Sequence, residues 1–183
     1  MRNELMIDIE TTGQKPGCKV LTFGAFGFDK NGKQVQFYER FDYSKLGEAG
    51  FTDDQKTLEW WEGKDEDARD EAFEGKADPT EGIAKFKMFF NANFDLDYGK
   101  GFRVWCCGLD FDFPILQEFF RRFGFAFPWK FWDQYDYRTV KNLFPIIKNA
   151  ERNAAAHTAL EDAKAQMRGL RDFYQRAEGG SLT

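Results

Sequence analysis

The stretch Glu4-Leu5-Met6-Ile7-Asp8-Ile9-Glu10-Thr11-Thr12-Gly13 decides how this chain is read. From Leu5 to Ile9 it has the apolar density of a buried β-strand, and a strand sends residues i and i+2 to one face. Asp8 and Glu10 therefore share a face of an otherwise hydrophobic strand. Two carboxylates so placed repel each other and resist burial unless a cation lies between them. The competing reading is an edge strand with solvated acids, and for a bare D-x-E triplet it is the commoner one. Thr11-Thr12-Gly13 adds a tight turn whose backbone can approach a ligand closely.

Residues 20–28 and 34–41 read as two more strands joined by the turn Asp29-Lys30-Asn31-Gly32, which gives an antiparallel three-strand start. A polar stretch follows, then helices over 57–63 and 65–74, the second opened by Asp65 and closed by Gly75. Asp78 as N-cap, Pro79 and Glu81 start the next helix. Its Ile83, Phe86, Phe90 and Phe94 recur at helical spacing. Residues 102–107 read as a buried strand. Ile115, Leu116, Phe119, Phe120 and Phe123 then mark one face of a helix stopped by Gly124. An extended piece over 129–132, a helix over 138–144 and a long helix over 158–177 complete the chain. This order indicates an α/β sandwich, in one domain spanning 1–183. Most of the 22 phenylalanines fall at core spacing, which leaves one or two to stack on a base.

The 183 residues are 42% hydrophobic and 31% charged, the balance of a soluble globular domain. No apolar run approaches the roughly 20 residues that span a bilayer. Glu4, Asp8 and Glu10 exclude a secretory leader at the start, so folded structure is expected almost from Met1. Cys18, Cys106 and Cys107 read as reduced core thiols of a cytosolic protein, and a single histidine is too few for a Cys/His zinc cluster. The net charge of −5 disfavours tight sequence-specific duplex binding. Capture of a strand end through bound cations is compatible with it.

Two further groups carry chemistry. His157 and Asp162 lie five residues apart, a step of about 500° on a helix, so they cannot share a face within one. Thr158 and Glu161 form a capping-box pattern, which makes His157 the N′ residue and Asp162 the N4 residue, positions that meet in a staple. The helix N-terminus favours an ionised aspartate there. A capping histidine beside a solvated acid is the plainer reading. Gly108-Leu109-Asp110-Phe111-Asp112-Phe113-Pro114 sets acids at the end of a buried strand, where open α/β sheets build sites. Helix capping by Asp110, with Asp112 on the first turn, explains the same residues.

Taken together and in this order, Asp8-Ile9-Glu10-Thr11-Thr12-Gly13, Phe111-Asp112, and His157 followed by Asp162 resemble the three motifs of the DEDDh, or DnaQ-like, exonucleases of the ribonuclease H-like fold. Thr57-Leu58-Glu59-Trp60-Trp61, the segment from Phe111 to Leu116 and the segment from Lys130 to Thr139 are similar to the phage exodeoxyribonuclease A and ribonuclease AS-like groups. Cys106-Cys107-Gly108 departs from the asparagine or histidine often found there. The resemblance implies a ribonuclease H-like α/β fold with a mixed five-stranded sheet, its first three strands antiparallel, flanked by helices. It implies a 3′→5′ exonuclease releasing 5′-mononucleotides, with Asp8, Glu10, Asp112 and Asp162 holding two Mg²⁺ or Mn²⁺ ions. His157 is then the general base, and Thr11, Thr12 and Phe111 seat the terminal nucleotide.

The implied partner is the 3′ end of single-stranded DNA or RNA, DNA slightly favoured, in a bacterial or phage-infected cytoplasm and away from membranes. An exoribonuclease and a non-catalytic nucleic-acid-processing subunit are the alternatives. Relatives include homodimers, which leaves that state open here. Trp60 and Trp61 point about 100° apart on a helix, so at most one reaches substrate. Asp136 and Arg138 match the family and equally suit a structural ion pair.

Overall fold

The structure, a computed structural model, describes residues 3–95, 101–145 and 158–180. Its five strands are β1 (Glu4–Thr11), β2 (Val20–Phe28), β3 (Gln34–Arg40), β4 (Arg103–Cys106) and β5 (Gln134–Asp136). They form one sheet in the order β3-β2-β1-β4-β5. The hairpins β1–β2 and β2–β3 are antiparallel, whereas β4 joins β1 and β5 joins β4 in parallel. This is the mixed sheet expected. The opening strand β1 lies at its centre, paired on both sides, so the edge-strand reading of Asp8 and Glu10 fails.

The helices are α1 (Tyr43–Glu48), α2 (Gln55–Glu62), α3 (Glu66–Phe73), α4 (Pro79–Asn93), α5 (Asp112–Arg122), α6 (Tyr137–Leu143) and α7 (Ala159–Glu178). On one face of the sheet Leu5, Ile7 and Ile9 join Phe23, Val104, Phe86 and Phe90 of α4, and Phe119 and Phe120 of α5 in the larger core. Phe86 is fully buried, with its ring centroid 4.5 Å from that of Phe23 and 5.1 Å from that of Phe37. Each such pair adds about 0.5–1.5 kcal/mol beyond area burial. On the other face Met6, Phe28 and Trp105 meet Tyr137 of α6 and Ala163, Met167 and Leu170 of α7. Cys18 and Cys106 are buried and Cys107 is half-buried.

Three local readings are corrected. The polar stretch after β3 contains α1, capped by Asp42 but anchored by one buried apolar residue, Leu46, too little for a periodic signal. Helix α2 begins two residues early because Asp54 caps it, accepting from the Thr57 amide at 3.0 Å. The piece expected to be extended over 129–132 instead runs into a 3₁₀ turn at Phe131–Asp133, where the Asp133 carboxylate accepts from the Lys130 amide at 3.0 Å. The extended residues come just after it, as β5.

Candidate active site

Strand β1 turns Glu4, Met6, Asp8 and Glu10 to one face, and α7 lies along it in the opposite direction. Gln166 Nε2 donates to Asp8 Oδ1 at 2.8 Å, Leu170 shares a cluster with Met6, and Tyr174 OH donates to Glu4 Oε1 at 2.8 Å. Four helical residues rise about 6 Å and two strand residues about 6.6 Å, so the two periods stay in step. Continuing the register upward puts Asp162 at Glu10.

A glycine permits this contact. Gly24 pairs directly with Asp8 across the β1–β2 ladder. A Cβ on Gly24 would sit 2.3 Å from the Ala159 carbonyl carbon and the Leu160 nitrogen. The first turn of α7 thus rests on bare backbone beside Asp8. Thr158 caps that turn as expected, its Oγ1 accepting from the Glu161 amide at 3.2 Å. Glu161 does not complete the capping box: its carboxylate pairs with Lys164 at 2.8 Å.

Asp8, Glu10 and Asp162 each offer a carboxylate oxygen, and these atoms lie within 4.8 Å of one another. Asp112 joins from the first turn of α5, 3% exposed, and its charge acts on both Asp8 and Glu10. Asp110 does not cap that helix: the N-cap is Phe111, with no side-chain hydrogen bond. His157 lies outside the described residues.

The electrostatics of Asp8, Glu10 and Asp112 show what the cluster lacks. Burial first, and then the charges of Asp112, Glu10 and Asp162, hold the Asp8 carboxyl well above the usual carboxylate range, against the Gln166 hydrogen bond. Burial and the charges of Asp162 and Asp112 push Glu10 up to about 8, with Lys64 opposing. Burial raises Asp112 to about 7, against its own amide, the Cys106 thiol and the Arg138 guanidinium. Acids gathered this way are under-neutralised, and their carboxylates supply hard oxygen donors for a divalent cation. The residues present therefore suit a divalent-metal centre.

The residues expected to seat a nucleotide divide. Thr12 is fully buried and turned inward, its amide donating to Lys19 O at 3.0 Å and its hydroxyl to Thr52 O at 3.2 Å. It shapes the turn and does not line the neighbouring cavity. That cavity, about 350 Å³, is lined by Glu10, Thr11, Gly13, Thr57, Trp60 and Phe111 among others. The Thr11 hydroxyl is committed to Gly13 O at 2.7 Å. Trp60 is 52% exposed at the cavity and Trp61 2%, its Nε1 donating to Thr11 O at 2.9 Å. One tryptophan faces outward and one supports the turn, as their angular spacing requires. Sequence reasoning missed Gly24 and Gln166. A glycine inside a strand signals close backbone approach, and Gln166 stands one helical turn beyond Asp162.

A mixed sheet with acids delivered from its central strand and two helix starts defines the class: a DnaQ-like 3′–5′ exonuclease of the ribonuclease H-like fold. Solved structures share the fold. Escherichia coli exonuclease I, in complex with a dT13 oligonucleotide, superposes with a TM-score of 0.64 at 13% identity, over 97% of this chain and 42% of that one. The cell-death related nuclease CRN-4 gives 0.59 at 16% identity, over 94% of this chain and 63% of that one. The chain thus spans less than half of exonuclease I. It belongs to the Rv2179c-like 3′-5′ exoribonuclease domain family, which it matches over residues 3–173. The exodeoxyribonuclease of Enterobacteria phage T4 is 32% identical over 194 residues, covering 87% of this chain and 83% of that protein.

Proposed function

We propose that residues 1–183 act as one domain that hydrolyses single-stranded nucleic acid from its 3′ end, releasing 5′-mononucleotides. The convergence of Asp8, Glu10 and Asp162 within 4.8 Å, with Asp112 beside them, carries this reading. In it the four carboxylates hold two Mg²⁺ or Mn²⁺ ions. Two such ions, when bound, supply an acidified water and charge stabilisation at the leaving 3′ oxygen. The chain does the rest. Gln166 fixes the orientation of Asp8, and the neutral imidazole of His157 takes the proton of the attacking water. Phe111 and Trp60 offer aromatic faces to the terminal base in the 350 Å³ cavity, and Thr11 lines its floor.

DNA is the favoured substrate, because the T4 relative is named an exodeoxyribonuclease. The second reading is RNA, because the family is named for exoribonucleases. No helix among the described residues is long and apolar enough to cross a membrane, and the reading places the enzyme in the cytoplasm of a bacterium or phage-infected cell. Monomer and homodimer are both compatible with this reading, and sedimentation decides between them. For the reaction, end-labelled single-stranded DNA and RNA of equal sequence are incubated with Mn²⁺ and then with excess chelator. The expected result is a ladder shrinking one nucleotide at a time from the 3′ end, stopped by chelator. Cleavage insensitive to chelator, or none on either strand, overturns the proposal.

A further inference from the structure

Arg138 stands on the far side of Phe111 from the base cavity. Its guanidinium is held in place: Nη2 donates to Cys107 O at 2.7 Å, and the group packs against Gly108, where a Cβ would come within 2.8 Å of Nη2. Gly108 also has a φ of +138°, a conformation glycine tolerates and other residues resist. Of the two readings open for Asp136 and Arg138, the structural ion pair does not form between them. Asp136 spends its oxygens capping α6, accepting from the Arg138 and Thr139 amides at 3.3 and 3.0 Å. Arg40, Arg103, Arg121, Arg122 and Arg176 each meet a carboxylate. Among the described residues the Arg138 side chain donates to one backbone carbonyl and meets no carboxylate, so its remaining guanidinium donors can serve a ligand.

Beside it opens a cavity of about 290 Å³, lined by Gly108, Leu109, Asp110, Phe111, Asp136 and Arg138. Phe111 lines this cavity and the base cavity alike, so it stands between them. The Arg138 charge is also felt by Asp112, which sets it at the border of the acidic centre. If, as the proposed function has it, the last base occupies the first cavity and the scissile phosphate meets the acids, the strand would continue past Phe111 towards Arg138.

We infer that Arg138 and its cavity form a second phosphate subsite, which grips the phosphodiester one step 5′ of the scissile bond. A planar guanidinium presents paired donors that match phosphate oxygens. The inference rests on the nuclease reading and adds a requirement on substrate length: a dinucleotide has only the scissile phosphate, whereas a trinucleotide also reaches the subsite.

The test crosses a protein change with a substrate change. Parent and Arg138→Ala are assayed with Mn²⁺ on a dinucleotide, a trinucleotide, and a trinucleotide whose 5′-ward linkage is a neutral methylphosphonate, with Arg138→Lys as a charge-retaining control. For the parent, kcat/KM is expected to fall roughly ten- to hundredfold on the methylphosphonate, mainly through KM, the range of one charge-assisted contact. Arg138→Ala should show a similar loss on the normal trinucleotide and little further loss on the methylphosphonate, with Arg138→Lys in between. Independent, multiplying losses overturn the subsite. So does an equal loss on dinucleotide and trinucleotide, which would make Arg138 a support for the Asp112 turn. A parent that cleaves nothing removes the nuclease reading together with the subsite, whereas a parent that cleaves all three substrates equally removes the subsite alone.

Discussion

At the scale of the residue, Asp162 is the most telling acid, because it brings charge from the far end of the chain to within 4.8 Å of Asp8 and Glu10. Asp162→Asn keeps its shape and removes one of the repelling charges. Without metal, its thermal midpoint should equal or exceed that of the parent. Mn²⁺ should no longer raise that midpoint, and hydrolysis should be lost. A variant that still digests end-labelled strands at the parent rate would remove Asp162 from the centre. His157→Ala should separate the two functions, with the rate falling by about 10²–10⁴, the usual range for a general base. Its Mn²⁺-dependent thermal shift should stay close to the parent's. Loss of that shift would make His157 a metal ligand or a structural residue.

At the scale of the element, the site depends on the register between α7 and β1, and Gly24 is its narrowest point. In Gly24→Ala the added methyl meets backbone at 2.3 Å, which no side-chain rotation relieves. The first turn of α7 must lift, carrying Asp162 with it. Misplacement of about 1 Å can cost 10²-fold in rate, so activity should fall at least that far. Mn²⁺ affinity measured by titration should weaken with it, while far-ultraviolet circular dichroism stays unchanged. Unaltered affinity would show that the helix has room to spare. This contact also marks what the sequence could reveal. The starts of α4 and α7 were legible because their signals are local: Asp78 caps the amides of Thr80 and Glu81, and Thr158 that of Glu161. The D-x-E pair was legible because strand alternation alone fixes its face. Gly24 was not, since its reason is the backbone of Ala159, and neither was Thr12, whose inward turn depends on Lys19, Thr52 and Asp54. Helix α1 has a cap but only Leu46 as a buried anchor, so no pattern announced it.

At the scale of the whole molecule, the sheet separates an aromatic core that stabilises from an acidic face that strains. Phe86→Ala in that core should cost about 3–5 kcal/mol in urea unfolding, with the acids of the opposite face left in place. A loss well below this would mean that the surrounding rings collapse into the gap. The acidic face works in the other direction. Burial, with the charges of neighbouring acids, pushes Glu10 up to about 8 and Asp112 up to about 7, both above the carboxylate range of an unfolded chain. Between that range and pH ~8 the folded state therefore binds more protons than the unfolded one, and stability falls as pH rises. The contribution is fully present below the unfolded pKa and is lost as pH passes through about 7 for Asp112 and about 8 for Glu10. A cation that binds the ionised acids competes with those protons, so it should stabilise more as they leave. The metal-free thermal midpoint should thus fall from about pH 6 to about pH 8.5, and less steeply in Glu10→Gln, which removes one of the titrating groups. Saturating Mn²⁺ should raise the parent's midpoint by more at the higher pH. An increment equal at both values would mean that the ions bind somewhere other than these carboxylates.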